Sequence, residues 1–511
     1  MRLRSSVARS FATAALLFAA VSLFAESAPP AGKATIYAAY VLLAESPKGE
    51  TLAFARVIVD PGAGCPQLVG VGKERIATTP RRNPHGFAVK VCEARYPFGR
   101  SLAVEGGPRL PKVTPDPRRI AVFGDSGCKP NDQSGCGLDD PQWPFPALAK
   151  AAAIDPPDLV LHVGDYNYRG TPSGFTVTVD GQPVKRWYYD AGDGADPSEL
   201  CGLPGPYYSQ NSTGNLDADG WQAWWLDFFE PARDLLAAAP WVFARGNHEL
   251  CSHAGPGWFY FLDAGSDLPG GGGQLSCPSQ DGEGPALPHL RLVETQVLRL
   301  GDLDLLVIDS ANACDQLPGL SDVYRKQLSQ ATRRLRGGRA WLMGHRPIWG
   351  VADEAETLYG CDGKPQSGPA VPFAELNQTL QCALAGEVGA ALLPKIDQIL
   401  AGHMHRFESL SFSAPSRRPP TLVVGNSGVA EDPSPPNGAF AQTVDGAPAS
   451  GFSVDQFGYL ELSRDRRGVW QGAVVAVDPA AWAPYLVPCA TSSEQALCVK
   501  PATPGGTPTA D

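Results

Sequence analysis

The pattern of hydrophobic and polar positions changes near residue 115 of this chain. Before that point, short apolar runs at 34–43, 51–59 and 87–93 are separated by Pro, Gly and Asn, which is typical of antiparallel β structure. After it, short apolar strands alternate with helical segments, as in an α/β core. The pattern therefore predicts a small N-terminal β-sandwich-like domain at 33–115, followed by a larger α/β domain at 116–478.

The α/β segment has a regular order of predicted elements. Its predicted strands lie at 120–123, 159–163, 241–244, 303–308, 340–343, 396–401 and 421–424. Its predicted helices lie at 146–153, 221–239 and 321–335. Two insertions, 171–220 and 263–288, interrupt the order, and the first carries a hairpin signal at Asp180-Gly181. Residues 479–511 form a Pro/Thr-rich tail.

The N-terminus indicates where the protein is located, and the net charge of the chain limits its partners. Residues 1–25 combine a basic start with an apolar run, which predicts a secretory signal peptide; a retained N-terminal anchor is the alternative. No membrane span is expected after signal removal. The formal charge of −11 over 511 residues argues against a nucleic-acid partner.

The twelve cysteines, like the predicted signal peptide, indicate that the protein is exported. None forms a C-x-x-C pair, so the sequence predicts disulfides in a secreted or periplasmic protein rather than a zinc finger or a thioredoxin-like site. The short spacings favour three pairs, Cys65–Cys92, Cys128–Cys136 and Cys489–Cys498.

Five polar clusters each begin with Gly, and each follows a predicted strand. They are Gly124-Asp125-Ser126-Gly127, Gly164-Asp165-Tyr166-Asn167-Tyr168, Gly246-Asn247-His248-Glu249, Gly344-His345-Arg346-Pro347 and Gly402-His403-Met404-His405. Because the carboxyl ends of strands in an open α/β sheet face one crevice, we expect these side chains to converge. Carboxylate, imidazole, amide and phenol groups are metal ligands, and their number fits two ions better than one. Two ions roughly 3.5–4 Å apart are the arrangement that cleaves phosphate esters.

The five clusters resemble the motifs of the calcineurin-like metallophosphoesterase superfamily, and within it those of the purple acid phosphatases. The pattern GDxG, GDxxY, GNH(E/D), a His three residues after an apolar position, and GHxH occurs here in that order. Gly127 stands where most superfamily members have a metal-binding His. Tyr168 matches the tyrosine that binds ferric iron in the purple enzymes. The resemblance implies a four-layer α/β/β/α sandwich.

The resemblance also implies two metal sites and the residues that hold them. Fe(III) would be held by Asp125, Asp165, Tyr168 and His405. A divalent ion (Zn, Fe or Mn) would be held by Asp165, Asn247, His345 and His403, so that Asp165 bridges the two sites. His248 would contact the phosphate and protonate the leaving oxygen. Glu249 would orient a neighbouring residue, and Arg346 would either bond phosphate or brace its loop. Apart from the resemblance, His253 lies five residues after His248, and it either faces the substrate or has no role in the site.

The predicted function is an exported phosphoric ester hydrolase of the acid phosphatase type, in which a metal-bound hydroxide attacks a small-molecule phosphate monoester. A phosphodiesterase or nucleotide-directed hydrolase with the same metals is the alternative, because the ligands do not define the pocket. A non-catalytic secreted binding protein is a remote alternative, and Asp165→Asn or His403→Ala would leave its function untouched. The aromatic run 258–260 either stacks on a leaving group or packs in its loop.

Overall fold

The structure is a computed structural model. It describes residues 35–129, 135–168, 220–251, 254–277, 291–313, 320–351, 360–364, 377–429, 438–489 and 497–502, with the backbone alone at 175–179, 182–186 and 375–376.

A ten-stranded mixed sheet forms one half of the protein. Its strands, in spatial order, are β25 (Leu497–Pro501), β24 (Trp470–Ala476), β23 (Gly458–Arg464), β8 (Arg119–Phe123), β9 (Leu159–His162), β12 (Pro240–Phe243), β1 (Ile36–Glu45), β2 (Thr51–Val59), β6 (Lys90–Arg95) and β5 (Thr79–Pro80). The central strands β8, β9, β12 and β1 run parallel to one another. Their carboxyl ends therefore meet at one edge.

An eight-stranded sheet forms the other half. Its strands, in spatial order, are β13 (Gln296–Leu300), β14 (Leu303–Val307), β15 (Arg339–Met343), β18 (Gln398–Ala401), β20 (Thr421–Val424), β19 (Phe407–Phe412), β22 (Ala447–Val454) and β21 (Gly438–Val444). Strands β14, β15, β18 and β20 are parallel. Three small sheets accompany the large ones: β10 (Phe175–Val179) with β11 (Gln182–Arg186), β16 (Trp349–Gly350) with β17 (Glu375–Leu376), and β4 (Arg75–Ile76) with β3 (Leu68–Val69) and β7 (Ala103–Val104).

Most of the α-helices cover the outer faces of the two sheets, whereas the last one buries Trp482 between the sheets. The helices are α1 (Phe145–Ile154), α2 (Trp221–Trp224), α3 (Glu230–Ala238), α4 (Gly255–Phe261), α5 (Ser321–Arg334), α6 (Gln378–Leu384), α7 (Glu387–Leu392) and α8 (Pro479–Trp482). One apolar core lies between the sheets, a second between the ten-stranded sheet and α1 to α4, and a third between the eight-stranded sheet and α5 to α7. The predicted four-layer α/β/β/α class is confirmed.

The N-terminal β-rich segment shares the large sheet. Strand β1 pairs in parallel with β12, with Val41 opposite Pro240, and β2, β6 and β5 extend the sheet beyond it. The segment is β structure, as the sequence predicts, and it buries its apolar residues against the same cores as the α/β segment. The division of the chain at 115 and 478 stays a prediction.

The helical region predicted at 221–239 contains a wider turn in its middle. Residues 225–229 form one π turn between α2 and α3, and Pro231 lies in the first turn of α3. Proline has no N–H to donate to the carbonyl four residues earlier, and its ring crowds that carbonyl, which here belongs to Asp227. The sequence therefore accounts for both the helix and its irregularity.

The described residues contain five disulfides. The three predicted pairs, Cys65–Cys92, Cys128–Cys136 and Cys489–Cys498, are confirmed. Two further pairs, Cys251–Cys277 and Cys361–Cys382, were not predicted. Within the part of the chain that the structure describes, no helix has both the length and the apolar character needed to span a membrane.

Candidate metal centre

The five Gly-led clusters lie at adjacent strand ends, on the seam between the two large sheets. Asp125, Asp165 and Asn247 follow β8, β9 and β12 of the ten-stranded sheet. His345 and His403 follow β15 and β18 of the eight-stranded sheet. The parallel order of these strands is what brings all five side chains to one edge.

The backbone at three of these positions is unusual for residues with a side chain. Asp125, Asp165 and His403 have φ values of 54°, 59° and 74°. Such left-handed conformations cost free energy and persist where the surrounding structure holds them. The glycines allow close packing: a Cβ at Gly246 would lie 1.9 Å from Asp165 Oδ1. The Gly that opens a cluster thus makes room for a neighbouring ligand.

The first group of predicted ligands surrounds the phenol oxygen of Tyr168. That oxygen lies 3.1 Å from Asp125 Oδ1, 2.9 Å from Asp165 Oδ2 and 3.0 Å from His405 Nε2. Both carboxylates and the Tyr168 ring are buried. A Cβ at Gly127 would lie 2.8 Å from Tyr168 Cδ2, so the absence of a side chain at Gly127 makes room for the tyrosine ring.

The second group adjoins the first through Asp165. His345 Nε2 lies 2.8 Å from Asn247 Oδ1 and 3.3 Å from Asp165 Oδ2. Ligand atoms of Asp165, His345 and His403 all lie within 4.8 Å of one another. The other ring nitrogen of His345, Nδ1, lies 3.0 Å from the Val163 carbonyl oxygen, which orients Nε2 towards the group.

Electrostatics at the site favour a cation. Burial would raise the pKa of Asp165, but the neighbouring His345 and His248 outweigh burial and hold that pKa well below its usual range. Burial, together with Asp165 and Asp125, raises the pKa of Tyr168 well above its usual range. Two buried carboxylates and a phenol that converge on one point are costly without a positive partner. Their oxygen and nitrogen atoms form the donor set that transition-metal ions accept, so these residues fit a metal centre.

His248 lies at the edge of this centre. Its ring packs 4.0 Å, centroid to centroid, from the Tyr168 ring, and its Nε2 lies 4.0 Å from Asp165 Oδ2. Its side chain retains 14 % exposure, whereas those of Asp165 and His345 are almost fully buried. His248 is therefore placed to reach a bound molecule from the solvent side.

Glu249 connects two of the clusters. Its Oε1 accepts hydrogen bonds from the backbone N–H groups of Tyr166 and Asn167, and its Oε2 accepts from those of Asp165 and Gly246. Burial and the charge of Asp165 raise the pKa of Glu249, and the N–H donors act in the opposite direction. Glu249 thus joins the Asp165 loop to the loop that carries Asn247 and His248; its orienting role stays a prediction.

Arg346 lies beside the second group. Its guanidinium NH1 donates to His403 Nε2 at 3.0 Å, and its backbone N–H donates to Ser310 Oγ. The guanidinium is thus within reach of an anion bound at the metal centre. His253, the remaining predicted site residue, lies outside the described residues.

Sequence reasoning missed two residues that hold the loops of the predicted ligands in place. Ser310 Oγ accepts from the backbone N–H groups of His345 and Arg346, at 2.8 and 2.9 Å. Asp227 Oδ2 accepts from the backbone N–H of Tyr168 at 2.9 Å. Ser310 follows the end of β14 but lacks the leading Gly of the five clusters. Asp227 is the one charged residue in the aromatic stretch 221–229, a signal that could have been noticed.

The aromatic run on α4 was predicted either to stack on a leaving group or to pack within the protein, and the structure shows that it packs. Trp258, Phe259 and Tyr260 are each at most 3 % exposed and belong to the core outside the ten-stranded sheet. The Tyr260 hydroxyl bonds to the backbone of Val89 and Val91. These rings are not presented to a leaving group.

Comparisons with known proteins identify the family. A solved structure titled "Structure of PhoD" is similar over 83 % of this chain and 83 % of that chain, at 12 % sequence identity and a TM-score of 0.44. No curated protein sequence matches. The sequence model described as "Calcineurin-like phosphoesterase" matches residues 118–407, more than half of the chain and the stretch that holds all five clusters. The chain therefore belongs to the calcineurin-like phosphoesterase family.

Proposed function

We propose that this phosphoesterase is an exported phosphomonoesterase of the purple acid phosphatase type, with Fe(III) in one site and a divalent ion in the other. The proposed Fe(III) ligands are Asp125, Asp165, Tyr168 and His405. The proposed ligands of the divalent ion are Asp165, Asn247, His345 and His403.

The position of the Tyr168 phenol is the observation that carries the proposal. Its oxygen lies within 3.1 Å of Asp125, Asp165 and His405 side-chain atoms. A phenolate is a hard, anionic ligand, which suits a trivalent iron better than a divalent ion. The space left by Gly127 supports the same interpretation, because a histidine at that position would collide with the tyrosine ring.

The surrounding residues supply the rest of the chemistry. Two ions held at this centre would lower the pKa of a bound water and neutralise charge on the phosphate. His248, partly exposed and beside Asp165, is placed to donate a proton to the leaving oxygen. Arg346 reaches the centre with a fixed positive charge and can donate hydrogen bonds to a phosphate oxygen.

Export is supported by the cysteines. All ten cysteines among the described residues are paired, and such a density is typical of oxidising compartments. The N-terminal signal pattern points the same way. Mass analysis of the protein recovered from its host would show whether the chain begins after the predicted signal.

The first test compares two substrates on the purified protein, p-nitrophenyl phosphate and bis-p-nitrophenyl phosphate, from acid to neutral pH. We expect the monoester to be cleaved faster, with an acid optimum. A preference for the diester would be compatible with the same metal centre, but it would reject the monoesterase proposal in favour of a phosphodiesterase.

The second test addresses the iron. The iron-loaded protein should show a visible charge-transfer band that Tyr168→Phe removes. Tyr459→Phe is a matched control, because Tyr459 is a buried phenol that stacks on Phe123 in the core outside the ten-stranded sheet. A band that survives Tyr168→Phe, or that Tyr459→Phe also removes, would reject Tyr168 as the iron ligand.

A further inference from the structure

The π turn at 225–229 places a buried carboxylate directly behind Tyr168. Asp227 is fully buried, and its Oδ2 accepts the backbone N–H of Tyr168 at 2.9 Å. Its helix is otherwise aromatic at this point, with Trp224, Phe228 and Phe229 all buried around it. A carboxylate is costly in such surroundings unless its hydrogen bonds offset the loss of water.

The backbone geometry explains why the carboxylate sits there. Pro231 has no N–H for the carbonyl of Asp227, and the helix widens into a π turn over the preceding residues. Such single π turns occur frequently at functional sites, where they re-aim one side chain. Here the Asp227 side chain contacts the cluster that carries Asp165 and Tyr168.

Tyr168 is held from three directions. Asp227 fixes its backbone N–H. The absence of a side chain at Gly127 leaves room for one edge of the ring, and His248 packs against the ring at 4.0 Å. Of these three contacts, only the one from Asp227 is a hydrogen bond to the main chain, at the residue from which the ring projects.

We propose that Asp227 is a positioning residue: by binding the Tyr168 N–H from the π turn, it places the phenol oxygen between Asp125 and Asp165. This inference rests on the proposed function, because it concerns Tyr168 as a metal ligand. It assigns no contact between Asp227 and the substrate or the metal. It predicts that loss of Asp227 weakens one metal site selectively.

The experiment uses the full chain with Asp227→Ala, Asp227→Asn and the control Asp234→Asn, which changes an exposed acid on the same helix. Fe(III) is titrated against a competing chelator and followed by the charge-transfer band. Zn²⁺ binding to the second site is followed by calorimetry. Removing a residue that orients a metal ligand typically costs about 10–100-fold in metal affinity.

We expect Asp227→Ala to lower Fe(III) affinity within that range and to shift or weaken the band, while Zn²⁺ affinity stays within about threefold of wild type. Asp227→Asn keeps an oxygen that can accept from the N–H, so it should recover much of the loss. Asp234→Asn should match wild type.

Two results would overturn the inference. One is an unchanged band and Fe(III) affinity in Asp227→Ala. The other is an equal loss of Fe(III) and Zn²⁺ affinity, since Asp227 would then support the whole fold. A wild-type protein without any charge-transfer band is a separate outcome: it refutes the proposed function, and the inference falls with it.

Discussion

The hydrogen bonds of Glu249 yield a quantitative prediction for Glu249→Gln. All four backbone donors, on Asp165, Tyr166, Asn167 and Gly246, point at the two carboxylate oxygens, two at each. This geometry favours the ionised form, against the burial and the Asp165 charge that raise the pKa of Glu249. Glutamine has the same shape but carries an NH₂ group in place of one oxygen. In either orientation of the amide, two N–H groups then face another donor, and two hydrogen bonds are lost.

The size of the effect follows from the number of bonds lost. A hydrogen bond to a charged group contributes about 1.5–3 kcal/mol net, so two give a loss of about 3–6 kcal/mol in the free energy of unfolding. Unfolding entropy is about 2.1 cal/mol/K per residue, which for 511 residues is about 1.1 kcal/mol/K. Each kcal/mol thus lowers Tm by about 1 °C, and we expect Glu249→Gln to lower Tm by about 3–6 °C.

The assay is scanning calorimetry of the metal-free protein at neutral pH, so that metal binding does not contribute. Glu294→Gln is the matched control, since Glu294 is exposed. A surface change of this kind should alter stability by less than about 0.5 kcal/mol. If Glu249→Gln melts within about 1 °C of wild type, the carboxyl is already protonated or its N–H groups find other acceptors, and the reasoning fails.

Two further predictions concern Gly127 and Glu408. Gly127→Ala would place a Cβ 2.7 Å from the Tyr166 carbonyl oxygen and 2.8 Å from Tyr168 Cδ2. We therefore expect this substitution to weaken the charge-transfer band of the iron-loaded protein and to lower activity at least tenfold. An unchanged spectrum would mean that the loop moves to accommodate the methyl group, which would contradict the prediction. Burial raises the pKa of Glu408 to about 8, although its carboxylate accepts the Val351 N–H, so the folded state holds this proton more tightly than the unfolded state does. The free energy of unfolding should therefore fall as pH rises from the ordinary carboxyl pKa of about 4.3 towards 8. Glu408→Gln should flatten this dependence when Tm is measured at steps across the range. Parallel curves of Tm against pH for the two proteins would contradict the prediction.

The core of the fold was predictable because its strands have clear local signals. The apolar runs at 120–123 and 421–424, for example, each lie within one residue of a strand in the structure. A short apolar run followed by Gly and a polar cluster reflects both the burial of a parallel strand and the close packing at its end. The same signal located the proposed metal ligands, so the candidate site and the central strands were found together.

Other parts of the fold leave weaker local signals. Strands β21 and β22 are rich in small and polar residues, such as the run Ala447-Pro448-Ala449-Ser450, and they are the last two strands at one end of the eight-stranded sheet, with β21 as the edge. Their sequence looks like a loop because an edge strand buries only part of its surface. Asp227 and Ser310 act through backbone hydrogen bonds to distant loops, and such partners depend on tertiary structure that no local pattern encodes.

The parallel pairing of β1 with β12 has a consequence for how the chain reaches its native state. Val41 must meet Pro240, so β1 cannot pair with its parallel neighbour β12 until two of the five clusters have been synthesised. Pairings this far apart in sequence are slow, because a long loop must close before the contact yields any stabilisation. Until then the β1–β2 hairpin carries an open, apolar edge, which is the kind of surface that chaperones protect and that aggregates when it is left uncovered. Removing residues 35–115 would transfer that exposed edge to β12, so a shortened chain beginning at residue 116 should be a poor source of soluble enzyme.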